Sequence, residues 1–350
     1  MRLGVPQITV AGRLAPVDWP ALEAFARLLR EFASVRITPG KVISASMEAG
    51  TMRLAWAGDA AEVRLAARDP SAAQNLRDTL GHLLDSTARG LAAGLSWPDA
   101  GEGSLPPNFR LARVAGVMRL SPNFLRLRLE AENIFFMART GLHLRLLQPC
   151  DPGNPVWPRL SVTGRTVWPG PGLLHMPVYT IRAIDPVAGW LDVDIYLHGN
   201  GPTCAWARAA RPGDRIGISG PGGGWLPQAG RLVLGGDETA LPVIARILAE
   251  AASDTVGHAV IALQNPADRQ EIDAPAGVTV EWLGPGEHGR LAARFEVAAA
   301  EALSAPVPAQ VLFGGERRDA EGLRRRLRAR FPSAGRQLSV AGYWDASAKA

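Results

Sequence analysis

Three stretches of this chain bring together residue types that suit a large, flat, phosphorylated ligand. The first is Tyr179-Thr180-Ile181-Arg182. At a strand end, a tyrosine ring can lie against a heteroaromatic ring while the adjacent threonine hydroxyl and main chain bond its heteroatoms. Arg182 offers a planar charged donor set for a pyrophosphate. The same residues also serve as a core tyrosine and a surface arginine, and the spacing alone leaves both uses open. The second stretch is Leu197-His198-Gly199-Asn200-Gly201-Pro202-Thr203, which ends one strand and starts the helical segment containing Trp206. A helix start leaves main-chain N–H groups unpaired, and with the helix dipole these suit a pyrophosphate. Thr203 adds a hydroxyl there, and Trp206 faces either a base or the core. The turn is not a Gly-x-Gly-x-x-Gly. The third stretch, Gly236-Asp237-Glu238-Thr239-Ala240, joins a strand to a helix, where open parallel sheets hold ligands. Acidic and hydroxyl residues at that point also act as plain helix caps.

The elements that must position these residues are legible from pattern. From residue 230 strand and helix alternate: RLVLGG, DETALPVIARILAEAAS, HAVIALQN, VTVEWLG, ARFEVAAAEAL, AQVLFGG, DAEGLRRRLRARF and QLSVAGYW. This predicts a doubly wound, mostly parallel sheet whose rim carries Gly235–Thr239, Gln264–Pro266 and Gly314–Arg317. Upstream, ARVAGVMRLS, FLRLRLEAE, LHLRLLQP, PVYTIRAID, WLDVDIYLH and DRIGISGP are short runs ended by Pro, Gly, Asn or Asp, as in an antiparallel barrel. Residues 98–108, PDAGEGSLPPN, read as a linker. Before it, residues 17–34 predict a helix capped by Asp18 with Pro20 in its first turn, then three alternating strands, then a helix opened by Ser71. The expected fold class is therefore multi-domain α+β. Its parts are a small α+β unit over 1–100, a linker over 101–108, an antiparallel β-barrel over 109–228 and a doubly wound α/β unit over 229–350.

Composition narrows the chemistry. With 350 residues, 47% hydrophobic and 20% charged, the chain is a packed protein. It shows no signal-type apolar run at its start and no stretch of membrane-spanning length, so a cytoplasmic protein without a membrane span is expected. Its two cysteines, Cys150 and Cys204, lack the spacing of a zinc or iron–sulfur site, so no metal site is expected and both read as small buried hydrophobes. The formal charge of +5 arises after residue 107, where 27 Lys+Arg face 22 Asp+Glu, so an anionic ligand belongs to that part. The arginines from Arg317 to Arg330 share a helix with Leu323, Leu327 and Phe331, which reads as a solvated basic face. No recognition motif for nucleic acid accompanies it.

In order and spacing, Tyr179-Thr180-Ile181-Arg182, the run Leu191 to Gly199, Gly201-Pro202, Trp206-Ala207, Pro212-Gly213-Asp214, Gly220-Pro221, Gly236 to Pro242, Gly315-Glu316 and Gly342-Tyr343-Trp344 resemble the siderophore-interacting proteins. The resemblance spans about residues 110–345 and implies a ferredoxin-reductase-like barrel for FAD followed by a nicotinamide-nucleotide unit. It implies that Tyr179, Thr180, Arg182, Leu197, His198, Gly199, Gly201, Pro202, Thr203, Trp206, Asp237, Glu238, Thr239 and Ala240 hold the cofactors, FAD and NADPH or NADH. The implied activity is reduction of an anionic ferric siderophore, with Arg290, Arg317 and Arg318 as candidates to meet it. No catalytic side chain is singled out. Another electron acceptor, such as haem, free flavin or a protein, and a non-catalytic flavin- or siderophore-binding role are the competing readings. Two departures stand out: the family's arginine just upstream of the Tyr-Thr pair is replaced by His175-Met176-Pro177-Val178, and Asp345 follows the terminal Trp where the family is basic. Residues 10–98, with His82-Leu83 and Trp97, resemble the accessory domain DUF2218, and His82 is expected to pack within its helix.

Overall fold

The computed structural model describes residues 8–31, 33–47, 49–138, 141–223, 230–335 and 337–349. Near the N-terminus, six antiparallel strands form one sheet that carries two helices, Trp19–Leu29 and Pro70–Thr87. Asp18 caps the first helix by accepting the Ala21 N–H, as its position predicts. The second helix begins earlier than expected: Asp69 is its cap, accepting from Ala72 N, while Ser71 turns its hydroxyl to Pro107 O. The expected helix, strands, helix order also gains three strands, Ile8–Leu14, Ser34–Thr38 and Leu95–Ser96. Ile8–Leu14 enters the sheet between Ala60–Ala67 and Leu95–Ser96, because its alternating residues place Val10 and Leu14 in the core. His82 is exposed and so does not pack within the helix.

The middle of the chain forms an eight-stranded antiparallel sheet curled around an apolar core. Its strands include Phe109–Ser121, Phe124–Glu130, His143–Pro149, Trp190–Tyr196 and Arg215–Gly222. The stretch expected as one strand, PVYTIRAID, is broken. Val178–Thr180 pairs with His143–Arg145, Ala183–Asp185 pairs with Trp190–Asp192, and Ile181-Arg182 turns between them. At the break the main chain changes partner: Ile181 N donates to Leu142 O at 2.9 Å and Arg182 N to Asp192 O at 2.8 Å.

Toward the C-terminus, five parallel strands run in the order Gly277–Leu283, Val256–Ala262, Arg231–Gly236, Gln310–Glu316, Leu338–Trp344. Helices Leu241–Glu250, Leu291–Ser304 and Arg317–Arg330 cover them. The central strand is buried along most of its length, as a parallel strand covered on both faces must be. The order reverses beside Arg231–Gly236, which makes the loop after Gly236 the switch point. Leu323 and Leu327 are buried, leaving Arg325, Arg326, Arg328 and Arg330 exposed, while Arg324 Nε donates to Val340 O of the last strand at 2.8 Å.

The first sheet's helix Pro70–Thr87 docks on the barrel through polar groups. Asp78 accepts from Thr166 N at 2.8 Å, from the Thr166 hydroxyl at 2.7 Å and from Gln74 Nε2 at 3.0 Å. Burial pushes the Asp78 carboxyl up, while those donors and Arg165 pull it back. Gln74 also donates to Gly164 O, and Arg165 pairs with Asp85. Replacing Asp78 by alanine leaves the Thr166 donors without an acceptor at a buried contact. The cost should be ~1–3 kcal/mol, read as an earlier first urea transition and faster proteolysis between residues 98 and 108.

Candidate functional site

Tyr179 lies against the barrel core, and burial pushes its hydroxyl up to about 12, with Cys204 adding to the rise and a hydrogen bond with Thr203 opposing it. Thr203 is buried at the start of helix Pro202–Ala209, and its hydroxyl meets His175 Nε2 at 2.9 Å. The tyrosine strand, the His175 segment and the helix start are thereby joined. His175, one of the residues standing where an arginine was expected, holds the threonine at the helix start. Burial lowers the His175 ring's affinity for a proton.

The helix start itself is open. Gly201 is its cap and supplies no side chain, and a Cβ on Gly199 or Gly201 would meet nothing within 4 Å. Gly199 has φ of 73°, a left-handed conformation suited to glycine. Gln148 Nε2 donates to Pro202 O at 3.3 Å, while its buried Oε1 has no partner. Trp206 packs on the barrel core, and Leu197 is buried beside it. His198 is exposed, its ring 5.8 Å from that of Tyr196.

Arg182 is largely buried and its Nε lacks a hydrogen-bond partner. The nearest carboxylate, Asp194, is 3.8 Å away and is already gripped by Arg126 through two bonds of 2.7 and 2.8 Å. Arg128 grips Asp192 in the same forked way, 2.9 Å for each bond. Burial lowers the Arg182 pKa, yet a guanidinium stays charged at any ordinary pH. Asp194 is thus shared, in a close forked pair with Arg126 and a longer ion pair with Arg182. Arg145 lies directly across from Val178, exposed, with Nη1 3.5 Å from Met176 O. It therefore supplies positive charge next to the gap in the expected arginine motif.

On the sheet rim the acidic loop after Gly236 is occupied by the protein itself. Asp237 accepts from Thr239 N, Thr239 Oγ1 and Trp344 Nε1, the last at 2.7 Å. Burial raises its pKa against those donors. Asp237 does not cap the following helix; the cap position is Ala240, which supplies no side-chain bond. Glu238 accepts from Gln264 N and lies 3.7 Å from His288 Nε2, an ion-pair distance. Burial pushes the Glu238 carboxyl up, but the imidazole and the main-chain N–H outweigh it and leave it below its ordinary value. Glu238 in turn raises His288. Arg290 and Arg318 stand exposed on this side of the sheet, while Arg317 is matched by Asp345 at 3.4 Å. The second expected departure thus has a structural role, in that Asp345 neutralises one of the arginines offered for an anion.

The barrel and the parallel sheet are tied by groups that pattern could not reveal. Asp268 is fully buried and accepts from Ser121 Oγ, Asn123 N and Asn123 Nδ2. Tyr343 OH lies 3.2 Å from His143 Nε2. Burial, with some help from the Arg246 charge, lowers His143 to about 4, so a neutral ring shares this hydrogen bond with the Tyr343 hydroxyl. His143 is the cross-strand partner of Thr180. Cys204 is buried as expected, but Cys150 is exposed, at the end of a strand that has left the core. A cleft of about 920 Å³ lies elsewhere on the barrel between Arg113, Arg215, Glu130 and Val187 and touches none of the motif residues.

Residues 229–347 match the family model described as siderophore-interacting protein, and residues 113–225 match the siderophore-interacting FAD-binding domain. Together they cover well over half of the chain. The chain belongs to the siderophore-interacting protein family. It is 27% identical over 238 residues to a ferric vibriobactin reductase of Vibrio cholerae, covering 64% of this chain and 85% of that protein. To an NADPH-dependent ferric-chelate reductase of Escherichia coli it is 28% identical over 253 residues, covering 68% and 93%. A crystal structure of a siderophore utilization protein from T. fusca superposes with a TM-score of 0.55 at 31% identity, over 70% of this chain and 95% of that one. The residues fit FAD: the uncapped helix start and the open space at Gly199 and Gly201 would offer main-chain donors to a pyrophosphate near the Tyr179 ring, and Arg182, 3.8 Å from Asp194, would add positive charge.

Two outcomes follow from these contacts. Arg182→Ala should weaken FAD binding about 10- to 100-fold, the loss of a charge-assisted bond worth ~1.5–3 kcal/mol, measured by flavin fluorescence titration. The Glu238–His288 pair stabilises the fold above the ordinary carboxylate value of 4.5 and below the ordinary histidine value of 6.5. Its contribution fades as pH falls through the lowered Glu238 value or rises through the raised His288 value. The gap in melting temperature between the wild type and His288→Asn should therefore be widest near pH 5–6 and narrow in alkali.

Proposed function

We propose that this protein is an FAD-dependent NAD(P)H:ferric-siderophore oxidoreductase that releases iron as Fe(II) in the cytoplasm. The observation that carries the reading is the open, uncapped start of helix Pro202–Ala209 beside Tyr179, on a barrel tied to a parallel sheet. The names of two relatives, a ferric vibriobactin reductase and an NADPH-dependent ferric-chelate reductase, support the substrate class. When bound, the flavin supplies the conversion between two-electron and one-electron chemistry that a nicotinamide and a ferric ion require.

The chain's own residues bind and orient. Tyr179 lays its ring and Thr180 its hydroxyl and main chain along the flavin, and Arg182 with the helix start from Gly201 to Thr203 takes the pyrophosphate. Leu197, His198, Gly199 and Trp206 border that site, and Asp237, Glu238, Thr239 and Ala240 form the rim on which the nicotinamide nucleotide docks. Iron arrives as part of the substrate. Among the described residues no three His, Cys, Asp or Glu side chains come together as a metal site. An anionic chelate needs cations near the flavin edge instead, and Arg145, Arg290 and Arg318 are exposed for that contact. Reduction loosens the chelate because hard oxygen donors hold Fe(III) far better than Fe(II).

The division into an accessory unit over 1–100, a linker over 101–108, a barrel over 109–228 and a nucleotide unit from 229 is part of this reading. Its third boundary, at 228, lies outside the described residues. The likeness of the first unit to the DUF2218 domain supports an accessory role for it.

Purified protein should absorb near about 450 nm, or gain that absorbance on incubation with FAD. With NADPH or NADH it should reduce ferric catecholates or hydroxamates, followed by an Fe(II) indicator. Rapid turnover of haem or free flavin with none of any ferric siderophore would assign another acceptor. A protein that never takes up flavin would favour binding without catalysis.

A further inference from the structure

Arg246 is the bulkiest fully buried side chain among the described residues, 1% exposed. A cation is rare at such a depth because leaving water is costly. Its carboxylate partner, Glu250 at 3.1 Å, lies one turn along the same helix and is 42% exposed. Water therefore screens the carboxylate more than it screens the guanidinium. The rest of the guanidinium crosses between units, where Nη1 donates to Leu142 O at 3.3 Å. That same carbonyl accepts the Ile181 N–H at 2.9 Å. A single oxygen thus links helix Leu241–Glu250 to the middle of the Tyr179–Arg182 stretch. Arg246 also lies within electrostatic reach of the two neighbours of that oxygen: its charge adds to the effect of burial on both His143 and Arg182.

Resting on the flavoenzyme reading above, we propose that Arg246 is a positioning residue for the flavin. It pins the Tyr179–Arg182 strand to the nucleotide unit through Leu142, and it holds behind that strand a positive charge that favours the reduced cofactor. Hydride delivery from the nicotinamide brings two electrons and one proton to the ring, hence one net negative charge, and releases the oxidised nucleotide. A fixed cation in a low-dielectric surround lowers the energy of that charge without having to reorganise. Packing alone would be met as well by an apolar side chain, which carries no desolvation cost.

The test uses the full-length, FAD-loaded protein and the variants Arg246→Met, Arg246→Lys and Glu250→Gln. Flavin content, melting temperature and flavin midpoint potential against a reference dye are read for each. In Arg246→Met the ratio of reduced to oxidised flavin at a fixed potential should fall at least about tenfold, whereas Arg246→Lys keeps it within about threefold. Glu250→Gln, changed at an exposed site, should raise the ratio because the cation loses its counter-charge. This variant decides the matter if Arg246→Met does not fold. Unchanged potentials in variants that retain flavin overturn the proposal, leaving Arg246 a packing residue whatever happens to the melting temperature. A wild-type protein that holds no flavin overturns the flavoenzyme reading itself.

Discussion

The barrel and the parallel sheet share one apolar core, in which Phe124 and Leu142 join Leu234, Leu241 and Ile244, and buried polar groups fix its register; everything proposed for this protein depends on that geometry. A reductase of the proposed kind must bring a ring held by one unit to a nucleotide held by another, and a displacement of an ångström is costly in rate. Apolar packing alone would allow the units to slide. Asp268 with its three donors, Tyr343 with His143, and Arg246 with Leu142 O do not allow it, because each would leave an unsatisfied group in the interior if displaced. Specificity of orientation is obtained at some expense in desolvation.

Charge pairing on the barrel follows the same logic. Arg126 and Arg128 saturate Asp194 and Asp192 with forked bonds across neighbouring strands, and Arg128 also stacks on Trp190 at 3.9 Å. The third guanidinium, Arg182, stands 3.8 Å from Asp194 and shares that carboxylate with Arg126, so three arginines face two aspartates. On the opposite side of the site the acidic loop after Gly236 is likewise occupied, by Trp344, Thr239, Gln264 and His288. These internal bonds hold the rim's shape and reduce the repulsion its carboxylates would exert on a phosphorylated ligand.

Much of the architecture was legible because it is written in short periods. The alternation that placed Leu127, Leu129, Val193 and Ile195 inward, the strand and helix alternation after residue 230, and the Asp18 cap are all local patterns. The errors had local causes as well. Asp69 and Ser71 are both good caps, and only the contact of Ser71 with Pro107 decided between them. The strand Ile8–Leu14 sits beside two strands far from it in sequence, so its pairing carries no neighbouring signal. His82 lies one turn beyond Asp78, on the flank of the face whose Gln74, Asp78 and Asp85 meet the barrel, and it stays exposed there.

By itself the sequence determined the type and order of the elements, the residues with the chemistry to hold a flavin and a nucleotide, and the family. Those features depend on residue identity and on spacing along the chain. The tertiary structure alone decided that the helix start at Pro202 is open, that Arg182 and Arg126 share Asp194, that Asp345 cancels Arg317, and that Arg246 lies buried against Leu142 O. Each of these is a statement about how charges and donors are paired once the chain has closed. Pairing between residues a hundred positions apart is set by packing, so no local pattern records it.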